Sequence, residues 1–277
     1  MYDGGQNHAG TTVLPVDGHV HFHRPSLVAP TLDAAVGNFQ RVAAGGPGLA
    51  GALLLTQASG ETVFETLCGG SPAGAWALSR AAGEPETLIA RRDGTAVAIV
   101  CGRQVRAEGG LEVLALGTTR TFSDGRSLAD TVAEVSASGA VSVLPWGFGK
   151  WLGERGGRIR STLRAVGPAI LFVGDNGSRL ALAPLPELIS EAAQQGFRVL
   201  PGTDPFPFGG DYRRVGGFGF IARVDAGRES PWRALREWLL SSQDSPPRYG
   251  SALGPARFIF NQAGVQIYNR IARKGGL

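Results

Sequence analysis

At 277 residues the chain is long enough to bury a core in one large domain, and 43% hydrophobic against 18% charged residues excludes a disordered chain. The formal charge is +4, yet of 27 basic residues only Lys150 and Lys274 are lysine, and the scattered arginines accompany no helix-turn-helix, zinc-finger or aromatic RNP pattern, which argues against a nucleic-acid partner. Cys68 and Cys101 make no CxxC pair or disulfide framework, the N-terminus MYDGGQNHAGTT shows no signal pattern, and no apolar run approaches the roughly 20 residues of a membrane span, so a cytoplasmic protein without a membrane partner is expected.

In chain order, TTVLPVDGHVHFH (11–23) reads as a buried strand with a polar C-terminal end. SLVAPTLDAAVGNFQRVAA (26–44) reads as a loop and an amphipathic helix, and LAGALLLTQ (49–57) as a second strand. This β-α-β rhythm predicts parallel pairing. It breaks after GETVFETLCGG (60–70). From about residue 74 to 117, apolar and polar residues alternate around Arg-Asp-Gly and Glu-Gly-Gly turns, which predicts a small antiparallel β insertion rich in hairpins. The alternation then resumes, with helices over 127–139, 158–167 and 185–196 and strands over 140–147, 168–175 and 197–204. A strand over 217–224, a helix over 230–243 and a terminal helix over 258–274 complete the chain. Six or seven parallel strands in a single domain spanning 1–277 predict an α/β fold of the distorted (β/α)7-8 TIM-like barrel type. No GxGxxG or GxxxxGK[ST] loop stands where a nucleotide-binding sheet would place one.

The chain has four histidines, His8 and three at alternate positions in VDGHVHFHR (16–24). A regular strand would set Asp17, His19, His21 and His23 on one face and Gly18, Val20 and Phe22 on the other. Two imidazoles at i and i+2 can grip one divalent ion from one side. An acid, Asp204, stands at the end of a later strand in VLPGTDPFP.

VLPVDGHVHF resembles the first-strand D-x-H-x-H motif of the amidohydrolase superfamily of metal-dependent hydrolases, and VLPGTDPFP resembles that superfamily's later G-[ST]-D motif. The PHP phosphoesterases, which also open on an HxH strand, are the second family to weigh. The resemblance implies a barrel, with His19 and His21 as metal ligands, Asp204 as ligand or general base, and Asp17 supporting an imidazole behind the ligands. His23 is a further candidate, as an extra ligand or in the same supporting position. No histidine follows residue 23, so other groups must complete the site. Lys150 is one candidate, as a carbamylated bridge or an anion-binding amine, and Asp175 is another, as a carboxylate in place of a histidine. Loops after the strands would bring Trp146, Asn176, Arg213 and Arg214 to a small-molecule substrate, an anionic one if the basic groups face it. The implied cofactor is Zn or Mn, as one or two ions, and the implied reaction is attack of a metal-activated water on an amide, ester or phosphoester. The alternative is a catalytically inactive barrel used for binding or scaffolding. Self-association into a homo-oligomer is compatible with the sequence.

Overall fold

The computed structural model describes residues 12–43, 48–224 and 230–274, so His8 and the start of the chain lie outside it. Strand β1 (Thr12–Val20), helix α1 (Val28–Gln40) and strand β2 (Gly48–Leu55) open the fold, followed by a short helix α2 (Val63–Cys68). Five strands follow: β3 (Ala77–Ala81), β4 (Glu84–Arg92), β5 (Thr95–Val100), β6 (Gly102–Arg106) and β7 (Glu112–Leu116). Then come α3 (Leu128–Ala137), β8 (Val141–Pro145), α4 (Gly153–Val166), β9 (Leu171–Asn176), α5 (Glu187–Gln194) and β10 (Val199–Gly202). The chain closes with β11 (Phe218–Val224), α6 (Pro231–Ser241), β12 (Arg248–Gly250) and α7 (Pro255–Lys274). Local signals act as expected. Ser127 caps α3 by accepting from the Asp130 amide at 3.1 Å, and Asp93 and Gly94, both at positive φ, form the two-residue turn between β4 and β5.

The predicted barrel is not the architecture. The described strands form two mixed sheets, a seven-stranded one in the order β12-β11-β1-β2-β5-β4-β3 and a five-stranded one in the order β10-β9-β8-β7-β6. Strand direction is what the barrel reading missed: β11 runs antiparallel to β1, and β7 antiparallel to β8. The segment read as an insertion is an integral part of both sheets, supplying one end of each. Strands β3 to β5 extend the first sheet from the edge of β2, and after Cys101 the chain enters β6 and β7 of the second.

Three cores follow from strand alternation. Leu14, Val16, Leu54 and Val100 face Leu114, Val143, Phe172 and Leu200 between the sheets, with Trp232 and Leu235 of α6 joining them. On the outer face of the first sheet Leu53, Leu55 and Ile99 pack with Leu32 of α1 and Phe64 of α2. On the outer face of the second, Val113, Leu144 and Val173 pack with Val132, Ile159 and Ile189 of α3, α4 and α5. The result is four layers, helix–sheet–sheet–helix. Among the described residues no helix is long and apolar enough to cross a membrane.

The sheets meet at the C-terminal ends of β1 and β2 through isolated backbone bonds. The Asp204 amide donates to the His19 carbonyl at 2.8 Å, the Gln57 amide to the Gly102 carbonyl at 3.1 Å, and the Gln104 amide to the Gln57 carbonyl at 2.8 Å. Two glycines permit the first approach: a Cβ on Gly18 would lie 2.6 Å from the Pro201 carbonyl oxygen, and one on Gly202 would lie 2.2 Å from the His19 nitrogen.

Candidate metal centre

Strand β1 does not alternate regularly to its end. Its register against β2 runs Val16↔Ala52, Asp17↔Leu53, then Val20↔Leu55, so three steps on β1 match two on β2 and a bulge lies between. Val16 therefore faces the inter-sheet core, whereas Val20 and Phe22 turn to the outer helices. His19 and His21 are left on the inner side, and Asp17 is placed on the opposite face from them.

There the His19 and His21 Nε2 atoms stand 3.1 Å apart, and each is 3.5 Å from Oδ1 of Asp204. With metal–ligand bonds of about 2.0–2.1 Å, a tetrahedral ion spaces its ligands about 3.3 Å apart, so the three atoms form one face of such a site. Two more oxygens lie near: Gln104 Oε1 at 3.3 Å from His19 Nε2 and Thr56 Oγ1 at 3.4 Å from His21 Nε2. Asn176 donates through Nδ2 to Asp204 Oδ2 and to the Trp146 carbonyl at 3.2 Å, while its Oδ1 accepts from the Ser178 amide at 2.8 Å. Asp204 is held at φ +45°, in the left-handed region that aspartate visits more readily than most residues. Such strain is common where a side chain must be aimed.

The electrostatics suit a cation. Burial lowers the pKa of His19 against the pull of Asp204 and Glu112, which favours the neutral imidazole that binds metals. Burial works the same way on His21, but its contacts with Asp204 and Glu61 outweigh it and raise the pKa to about 9. Burial would raise Asp204, yet the two imidazoles and Asn176 hold it well below the usual carboxylate range. His21 Nδ1 faces Glu61 Oε2 at 3.9 Å, and His23 Nδ1 faces Glu61 Oε1 at 3.8 Å. Two clefts flank this row. One, of about 310 Å³, is lined by Gln57, Glu61, Glu65, Arg103, Gln104 and Phe122 among others. The other, of about 360 Å³, is lined by His21, His23, Arg24, Phe206 and Tyr212 among others.

Several expected site residues stand elsewhere. Asp175 is turned away from the triad and gripped by Arg179, Nε at 2.7 Å and Nη2 at 3.1 Å. Its neighbour Asn176 takes the inward position, because successive strand residues face opposite ways. Lys150 is tied to Glu112, Nζ to Oε1 at 2.6 Å. Among the described residues Asp17 holds no imidazole. It accepts from the Thr203 hydroxyl at 2.6 Å and from the Thr203 and Gly216 amides at 2.8 Å, which ties β1 to the turns around β10 and β11, and burial raises its pKa to about 6 against those bonds. Arg214 is spent on Asp211 at 3.0 Å and the Gly177 carbonyl at 2.7 Å, and the Arg213 guanidinium lies 5.3 Å from the Tyr212 ring centre. Trp146 is half-buried, its ring edge-on to Phe148.

Glu61, Thr56 and Gln104 were not anticipated from the sequence. The signal for the first two was present, since ligand sites in parallel sheets gather beyond the C-terminal ends of strands and both follow the body of β2.

No family model matches this chain, and no curated protein matches it. Among solved structures, the crystal structure of PsfC from Pseudomonas syringae PB-5123 is similar, with a TM-score of 0.51 and 15% sequence identity. The match covers 94% of this chain and 98% of that one. At that identity the likeness concerns the fold alone, and it extends over nearly the whole of both chains.

Proposed function

We propose that the protein is a metal-dependent hydrolase acting on a small molecule with an amide, ester or phosphoester bond. The observation that carries this reading is the convergence of His19 Nε2, His21 Nε2 and Asp204 Oδ1 at 3.1–3.5 Å. Two imidazoles and one carboxylate are a common donor set for zinc in hydrolytic sites, and added oxygen donors would suit manganese. Bound there, a divalent ion supplies Lewis acidity, polarising a carbonyl or phosphoryl group and bringing the pKa of a water toward neutrality. Asp204 serves as a ligand through Oδ1, with Asn176 fixing its plane through Oδ2. Glu61 stands on the Nδ1 side of His21, 3.9 Å away, which leaves Nε2 of that ring to the ion. Either cleft can seat a substrate beside the donors. The motifs shared with amidohydrolases support the reaction class although the architecture differs, and a cytoplasmic setting is part of the same reading. Elemental analysis of untagged protein tests it. A near-stoichiometric ion is expected, lost in a His19→Ala/His21→Ala double variant, with hydrolysis of generic nitrophenyl esters or phosphoesters by the loaded parent. A parent that retains no ion after exposure to zinc and to manganese would sink the proposal.

A further inference from the structure

His23 carries information that the triad does not use. Its Nε2 lies 2.7 Å from the Pro205 carbonyl oxygen, which can only accept, so that nitrogen bears the hydrogen. In the neutral ring Nδ1 then presents a lone pair, and what it faces is Glu61 Oε1 at 3.8 Å. Histidines that bind metals characteristically donate their other N–H to a backbone carbonyl, which fixes the tautomer. Glu61 is held in turn, its Oε2 accepting from the Ala58 amide at 2.8 Å. The His21 and His23 rings are stacked, with centroids 5.3 Å apart and planes 15° from parallel, so both Nδ1 atoms address the same carboxylate.

We propose that His21 Nδ1, His23 Nδ1 and Glu61 form a second divalent-cation site, sharing the His21 ring with the first. One nitrogen of each ring and one Glu61 oxygen lie within 4.8 Å of one another. The 3.8 Å and 3.9 Å separations exceed a tetrahedral edge by about 0.5 Å, a closure within reach of a glutamate side chain on a loop. One cleft is lined by Glu61 and the other by His21 and His23, and they supply the entry path that an ion needs. When both sites fill, the His21 ring binds through both nitrogens and gives up its remaining N–H proton to solvent. The inference rests on the hydrolase reading only for the ion on the Nε2 side, because neither His23 nor Glu61 belongs to the first site.

Equilibrium dialysis of the full chain against zinc, followed by elemental analysis, tests it on the parent and on His23→Ala, Glu61→Gln and His19→Ala, each checked for fold by circular dichroism. Two ions are expected in the parent and one in each variant. Ion content that is the same in parent, His23→Ala and Glu61→Gln overturns the second site and leaves the first standing. Loss of both ions in Glu61→Gln with the fold intact overturns it as a separate site. A single parental ion that vanishes in His23→Ala but persists in His19→Ala upholds the second site and defeats the hydrolase reading. No ion in any of the four defeats both.

Discussion

Two aspartates, Asp204 and Asp211, are completed in opposite ways. Asp211, wholly buried, accepts from Arg257 at 2.9 Å, Arg214 at 3.0 Å and the Phe206 amide at 2.9 Å, with Asn261 behind them. Asp204 instead faces two imidazoles whose own nitrogens are 3.1 Å apart, so at most one hydrogen can sit between those rings and the remaining lone pairs converge. The chain neutralises Asp211 with its own guanidinium groups. At Asp204 it assembles donors, and among the described residues no guanidinium meets that carboxylate. The first arrangement is structural; the second invites a cation from outside.

The comparison breaks most sharply at Asp211. Asp211→Ala leaves two arginines facing a buried gap, and a loss of about 3 kcal/mol in urea unfolding is expected, at the low end of the range for halving a buried pair because both arginines are partly exposed. If stability is unchanged, the hub does not hold this end together. The next largest effect is a pH slope in chelator-treated protein. Because the folded pKa of His21 is about 9 against an ordinary 6.5, its contribution is full below pH 6.5 and lost as pH rises through 9, a change on the order of 2 kcal/mol. The pairing seen from Asp204 and Glu61, both depressed, is lost only as pH falls below their ordinary 3.8 and 4.5. Flat urea midpoints between pH 6.5 and 9 would remove that pairing from the account.

Asp204→Asn sharpens the contrast from the other side. Asparagine tolerates the same backbone angle, so above pH 9, where the pairing with His21 is already lost, the metal-free fold should keep its stability within about 1 kcal/mol, while at neutral pH zinc affinity at the triad falls about 100-fold. Retained stoichiometric zinc would show that Asp204 is not a ligand. The smallest effect belongs to Arg213→Ala, for which neither ion content nor stability should move by more than about 0.5 kcal/mol, since the side chain is exposed. A clear loss of substrate turnover in that variant would restore a binding role to Arg213.

The sequence located the six longer helices and the strands outside residues 74–117 except β12, because period and capping are local properties, but it passed over the short helix α2. It did not disclose strand direction: Phe218–Val224 alternates identically whether it runs with or against its neighbour, and on that direction the barrel reading failed. The convergence of His19, His21 and Asp204 was legible in the two motifs that carry them. The rest of the site was obscured wherever one residue of phase mattered, as at Asp17 before the bulge and at Asp175 in place of Asn176. Glu61 lay in a loop that strand periodicity does not describe.

The close approach at Gly18 and Gly202 bears on how relatives of this protein could be found. Donor identity is interchangeable among histidine, aspartate, glutamate and asparagine, but no side chain fits where β1 and β10 touch. A chain that builds its site in this way must therefore carry glycine at both positions, inside D-G-H-x-H and P-G-T-D. A search weighted toward those two glycines could reach homologues whose ligands have already changed.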